Sequence, residues 1–179
     1  TLGLSQQANA ITAPFNGVAG NNPNKLVAVG GGTALDTGSV AIGGGTTAGH
    51  GGVAIGRDVN ARGRDSAALG YDANASGQWS SALGTRTSAS GNYASAFGAS
   101  ASAVGQFALA AGFQATAQAN GTAIGSGSQA SAVGATALGN MALASGQNSV
   151  ANGIATKASG LKAIAIGSDA NASGSEASA

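Results

Sequence analysis

The sequence predicts an all-β fold, a β-solenoid of stacked 14-residue coils, and three observations carry that prediction. Glycine recurs every seven residues at Gly56, Gly63, Gly70, Gly77, Gly84, Gly91, Gly98, Gly105 and Gly112. The beat resumes at Gly125, Ala132, Gly139, Gly146, Gly153, Gly160, Gly167 and Gly174. Successive sevens differ. One kind ends apolar-Gly, as in Val-Ala-Ile-Gly at 40–43, Ser-Ala-Leu-Gly at 81–84 and Ser-Ala-Phe-Gly at 95–98. The other ends polar-Gly, as in Asn-Ala-Arg-Gly at 60–63 and Ser-Ala-Ser-Gly at 88–91, so the true unit is 14 residues. Two positions before each timing glycine stands an alanine.

The first 24 residues do not follow the repeat and are expected to cap the first coil, because an open solenoid end exposes strand edges. About eleven coils then fill residues 25–179. Each coil is expected to hold two strands of roughly four or five residues, since a turn signal closes each half. The period of seven is not a coiled-coil heptad. That structure needs large apolar residues at two positions, and a glycine in every heptad costs a helix about 1 kcal/mol relative to alanine. In the spacings Gly30–Gly43, Gly43–Gly56 and Gly112–Gly125 the period contracts to 13.

Strand alternation assigns the faces. Ala41, Ala54, Ala68, Ala82, Ala96 and Ala110 in one half, and Ala61, Ala75, Ala89 and Ala103 in the other, mark the interior. Two facing strands leave room there for little more than a methyl group, and glycine shares the face. The opposite side of the polar half carries Ser76, Ser90, Ser145, Ser159 and Ser173 with Arg62 and Gln118, and is expected to meet water. The opposite side of the apolar half carries Val40, Ile42, Val53, Ile55, Leu69, Leu83, Phe97, Leu109, Ile124, Leu138, Val150, Ile164 and Ile166. Such a stripe is larger than a soluble monomer exposes, so a cover is required, and the simplest cover is another copy of the chain. Volume is traded within its rows: small Ser95 accompanies Phe97, and Leu109 accompanies Ala111. Asn152 interrupts the stripe, either as a polar layer that fixes register or as an anion or water site.

Composition closes off several function classes. Leu, Ile, Val and Phe make up about 17% of the chain, whereas Ala, Gly and Ser supply 96 of 179 residues. Seven basic and six acidic residues exclude a polyelectrolyte nucleic-acid binder. No apolar run approaches the roughly 18 residues of a membrane span, and no signal peptide is visible. Cysteine is absent, His50 is the single histidine, and the Gly-Gly-Gly runs at 30–32 and 43–45 lack the lysine and helix of a phosphate loop. No catalytic residue, metal site or cofactor is therefore expected. An ice-binding solenoid would need regular threonine ladders, and a hexapeptide acyltransferase would count in sixes. A calcium-binding repeat would need an acidic residue in every unit.

The units Ser-Val-Ala-Ile-Gly at 39–43 and Ile-Gly-Ser-Asp-Ala-Asn-Ala-Ser-Gly at 166–174 resemble the head repeats of trimeric autotransporter adhesins, the YadA-like heads. The resemblance implies a homotrimer of left-handed parallel β-rolls displayed on the outer membrane of a Gram-negative bacterium. It also implies attachment to extracellular matrix proteins or epithelial surface receptors of a host, and self-association between bacteria. The neck, stalk and membrane anchor of such proteins are not found in this sequence, so contact with the membrane is expected only through an anchor outside it. A purely structural spacer segment of the fibre is the alternative reading.

Candidate binding residues lie in the turns, at the two positions after each timing glycine. Trp79, Tyr93 and Phe107 are 14 apart, and stacked coils would bring them into a ladder. That ladder either stabilises the stack or forms an exposed ridge for a partner. Tyr71 and Phe113 occupy the other turn, and Arg57 and Arg64 supply positive charge beside Asp58, Asp65 and Asp72, joined by Arg62 from the outer side of the polar half.

Overall fold

The computed structural model describes residues 26–179, so the N-terminal cap expected at 1–24 lies outside the described residues. The described chain contains only strands and turns, arranged as a parallel solenoid with two 11-stranded sheets. The first sheet begins Val27–Val29, Val40–Ile42, Val53–Arg57, Ala67–Tyr71, Ser81–Leu83 and Ser95–Phe97. It continues Leu109–Ala111, Thr122–Ile124, Thr136–Leu138, Val150–Asn152 and Ile164–Ile166. The second sheet runs from Thr33–Ala34 to Asn171–Ala172, with one two-residue strand per coil. The strands are shorter than the four or five residues expected. Most hold three residues in one sheet and all hold two in the other, because the chain must turn twice in 14 residues and in a typical coil the two turns take four and five of them, as at 84–87 and 90–94.

Parallel pairing puts like on like. Ala82, Ala96 and Ala110 are register partners, as are Ala75, Ala89 and Ala103. Among the described residues every buried hydrophobic one is an alanine except Val59. The interior is wider than two alanines per coil, however. The residue three after each timing glycine also points inward, and there the chain places Val59, Ala73, Ala94, Ala101 and Ala108, or a hydroxyl residue such as Thr46, Ser66, Ser80, Thr87, Ser128 or Thr156. Sequence alternation counted back from the glycine and missed this slot, because the intervening turn breaks the two-residue period.

Those buried hydroxyls are satisfied by the turn itself. Ser66 Oγ donates to the Gly63 carbonyl at 2.7 Å, Ser80 to Gly77 at 2.7 Å and Ser128 to Gly125 at 2.9 Å. Thr87 and Thr156 reach into the next coil, donating to the Gly98 and Gly167 carbonyls at 2.6 and 2.5 Å. Ser149 Oγ is buried without a partner.

The timing glycines line the interior in one half only. Gly63, Gly77 and Gly91 are buried, whereas Gly70 is exposed and Gly84 half-buried. What unites them is the approach of neighbouring coils. A Cβ on Gly91 would collide with the backbone carbonyl of Gly105, its counterpart one coil on. Gly84 carries a second constraint, a φ of +139°, which side chains disfavour. Where the period contracts in the second sheet's turn, the polar-half timing residue is missing. Five steps lead from Ala48 to Val53 and from Ala117 to Thr122, against six from Ala61 to Ala67, and the interior slot is then filled by Gly52 or Gly121.

Candidate functional site

Four surfaces of the roll can meet a partner: the outer faces of the two sheets and the two columns of turns. The turn columns lie on opposite edges, since one leads from the first sheet to the second and the other returns to the next coil.

On the first sheet the register forms two outward ladders. One runs Val27, Val40, Val53, Ala67, Ser81, Ser95, Leu109, Thr122, Thr136, Val150 and Ile164. The other runs Val29, Ile42, Ile55, Leu69, Leu83, Phe97, Ala111, Ile124, Leu138, Asn152 and Ile166. The second is almost continuously apolar, and Leu83, Phe97, Ile124 and Ile166 are exposed on it. The size trade expected within rows also operates between them: Ser95 pairs with Leu109 and Phe97 with Ala111. Asn152 stands between Leu138 and Ile166 in this ladder.

On the returning turn, Trp79 and Tyr93 stack with ring centroids 4.9 Å apart, and Tyr93 and Phe107 at 5.0 Å, with planes within 17° of parallel. The spacing follows from one residue per coil at the inter-strand distance. The backbone N–H of each ring-bearing residue is used between coils: Trp79 donates to Arg64 O, Tyr93 to Gln78 O and Phe107 to Asn92 O. All three have left-handed backbones, with φ of 53°, 59° and 57°. That conformation suits Asn, Asp and Gly and is unusual for bulky residues. Other coils place Asp65, Asn120, Gly134 and Asn148 at the same position. The rings remain 44%, 46% and 55% exposed, so they fill no core.

Two features of this edge escaped the sequence reading. Gln78, Asn92 and Gln106 form an exposed amide column beside the rings, and Asn92 Oδ1 accepts from the Gln78 backbone N–H at 3.0 Å. Their 14-residue spacing was the available signal. In addition, residues 87–156 contain no Asp, Glu, Lys, Arg or His, so the coils between Arg86 and Lys157 present an uncharged surface.

The remaining candidates do not join the ring stack. Arg57 and Tyr71 lie on the opposite edge, where the guanidinium sits 4.7 Å from the ring centroid and Nη2 donates to Tyr71 Oη at 3.2 Å. That hydroxyl, and then the Asp58 carboxylate, raise the Arg57 pKa above its ordinary value. Phe113 shares this edge, with the Thr85 and Ala99 coils between it and Tyr71. Arg64 stays on the ring-bearing edge but pairs with its neighbour Asp65 at 3.4 Å, as Arg57 does with Asp58 at 3.3 Å. Exposed pairs of this kind contribute little to stability. Arg62 is exposed on the outer face of the second sheet. On that face Thr33 and Thr47 give way to Asn60, Asn74 and Ser88 and later to Leu143 and Lys157, so no regular threonine ladder forms.

Comparison with known families adds one match. The model described as YadA head domain repeat (2 copies) matches residues 61–87, 77–101, 119–142, 144–170 and 158–179. A search of curated proteins returns no match.

Proposed function

The chain belongs to the YadA head-repeat family, a YadA-like head domain of a trimeric autotransporter adhesin, and from that premise we propose that it works as a homotrimer displayed on a bacterial outer membrane, attaching cells to host surfaces. The observation that carries the proposal is the apolar outer face of the first sheet. Its exposed ladder from Val29 to Ile166 asks for a cover running the length of the roll. A copy of the same chain has a matching length and repeat, and closed symmetry buries three such faces at once. Val40, Ile42, Val53, Ile55, Leu69, Leu83, Phe97, Leu109, Ile124, Leu138, Val150, Asn152, Ile164 and Ile166 are then interface residues.

In this arrangement the turn edges supply the adhesive surface. The Trp79–Tyr93–Phe107 ridge is the proposed ligand contact, and Tyr71, Phe113, Arg57, Arg62 and Arg64 form secondary surface. Three identical ridges on one stiff rod give avidity to a weak individual contact. Attachment to matrix proteins or epithelial receptors and adhesion between bacteria are the proposed outcomes. Residues 25–179 act as one head, with residues 1–24 as its cap.

Light scattering tests the assembly, where a monomer at micromolar concentration overturns the trimer. Attachment of cells displaying a verified trimer with Trp79→Asn, Tyr93→Asn and Phe107→Asn tests the ridge. Retained attachment assigns the rings to a purely structural spacer.

A further inference from the structure

We infer that the ridge takes a neutral, extended glycan chain laid along the solenoid axis, a reading that rests on the ridge being a ligand contact. The rings occupy left-handed positions that Asn or Gly fill at lower cost, and about half of each ring stays in solvent. Their faces are spent on one another, so an approaching ligand meets ring edges. Edges carry the polar handles, the Trp79 indole N–H and the Tyr93 hydroxyl, and neither has a protein partner among the described residues.

Alongside run the amides of Gln78, Asn92 and Gln106. The bond from the Gln78 backbone to Asn92 Oδ1 fixes that amide and leaves its NH₂ group free to donate. Each coil therefore offers an apolar edge and a two-way hydrogen-bonding group, repeated at 4.9 and 5.0 Å. A β-linked chain of pyranoses advances by a similar distance per sugar and carries C–H patches and hydroxyls in the same alternation. It can place one sugar on each coil.

Other chemistries fit less well. Charged ligands find no counter-charge on Tyr93, Phe107 or the coils that follow as far as residue 156, because residues 87–156 are uncharged. A peptide cannot add to the edge as a strand, since the backbone N–H groups of Trp79, Tyr93 and Phe107 are already donated between coils. An extended peptide also advances about 3.3 Å per residue, out of step with single rungs.

Trp79 is the single tryptophan, so its fluorescence reports on the ridge directly. The purified full chain is titrated with neutral β-linked hexasaccharides of glucose and of N-acetylglucosamine, at low and high salt. The expected result is a saturable Trp79 response to at least one of them, unchanged by salt. Tyr93→Asn and Phe107→Asn, which keep Trp79 and suit the left-handed backbone, should each weaken it about tenfold or more. Circular dichroism and light scattering verify that both variants keep their fold and assembly. No response to either sugar, with attachment still lost in the triple Asn variant, overturns the glycan and leaves a protein ligand on the ridge. Full attachment by that triple variant overturns the ridge itself.

Discussion

The same substitution at the same position of the repeat should act in opposite directions at Ser80 and Ser149. Both residues stand three places after a polar-half timing glycine, and both are fully buried. Ser80 Oγ donates to the Gly77 carbonyl at 2.7 Å, whereas Ser149 Oγ has no partner. The backbone contact is common to the two, with Ser80 N–H on Gly77 O at 3.3 Å and Ser149 N–H on Gly146 O at 3.1 Å. Ser80→Ala therefore removes one net hydrogen bond and leaves the carbonyl still bonded, at a loss of about 1 kcal/mol. Ser149→Ala removes a buried polar atom that has given up water for nothing, a gain of roughly 1–3 kcal/mol. Alanine already fills this slot at Ala94, Ala108 and Ala135, so neither substitution needs repacking. For a chain of this size each kcal/mol moves the melting temperature by about 2–4 °C. Thermal unfolding of the two variants beside the parent should thus show one midpoint falling and the other rising. Destabilisation by Ser149→Ala refutes the reasoning, because it means that the hydroxyl finds a partner in solution and that the slots are equivalent.

Substitutions at three further positions probe the turns and the apolar face. Gly127 has a φ of +66°, and a Cβ there would meet Met141 Cγ at an ordinary 3.6 Å. Gly127→Ala should therefore cost only the left-handed penalty, about 1 kcal/mol, and Gly127→Asn less, read by urea unfolding. Gly84→Ala adds a steric conflict to its φ of +139°, with the Gly98 carbonyl carbon 2.8 Å from the new Cβ, and should cost about 3 kcal/mol or more in the same assay. Leu83→Asp places a carboxylate in the apolar ladder of the first sheet and should convert trimer to monomer by light scattering. An unchanged mass moves the interface elsewhere.

Much of the fold was legible because a solenoid makes tertiary structure repeat what is local. The seven-residue beat, the Ala two places before it and the apolar partner of each Ala are short-range patterns, and register copies them from coil to coil. The ring ladder followed from the 14-residue spacing of Trp79, Tyr93 and Phe107 alone. The candidate site was less legible. The sequence placed Tyr71 and Phe113 in the other turn, and the roll adds that this turn runs along the opposite edge, where the Arg57 guanidinium lies over the Tyr71 ring. The amide column of Gln78, Asn92 and Gln106 was overlooked because amides in turns look like ordinary solubilising residues.

By itself the sequence determined the coil length, the alanine interior and the stripe of large residues that must face outward, since these depend on strand alternation and side-chain volume. The tertiary structure decided what depends on the distance between coils. It showed that Gly91 is barred from a side chain by a carbonyl one coil away, that residues such as Trp79 bear a left-handed backbone, and that one buried serine in the series goes unpaired. Those properties arise between residues about 14 apart in sequence and a few ångströms apart in space, and only the stacking of coils sets that distance.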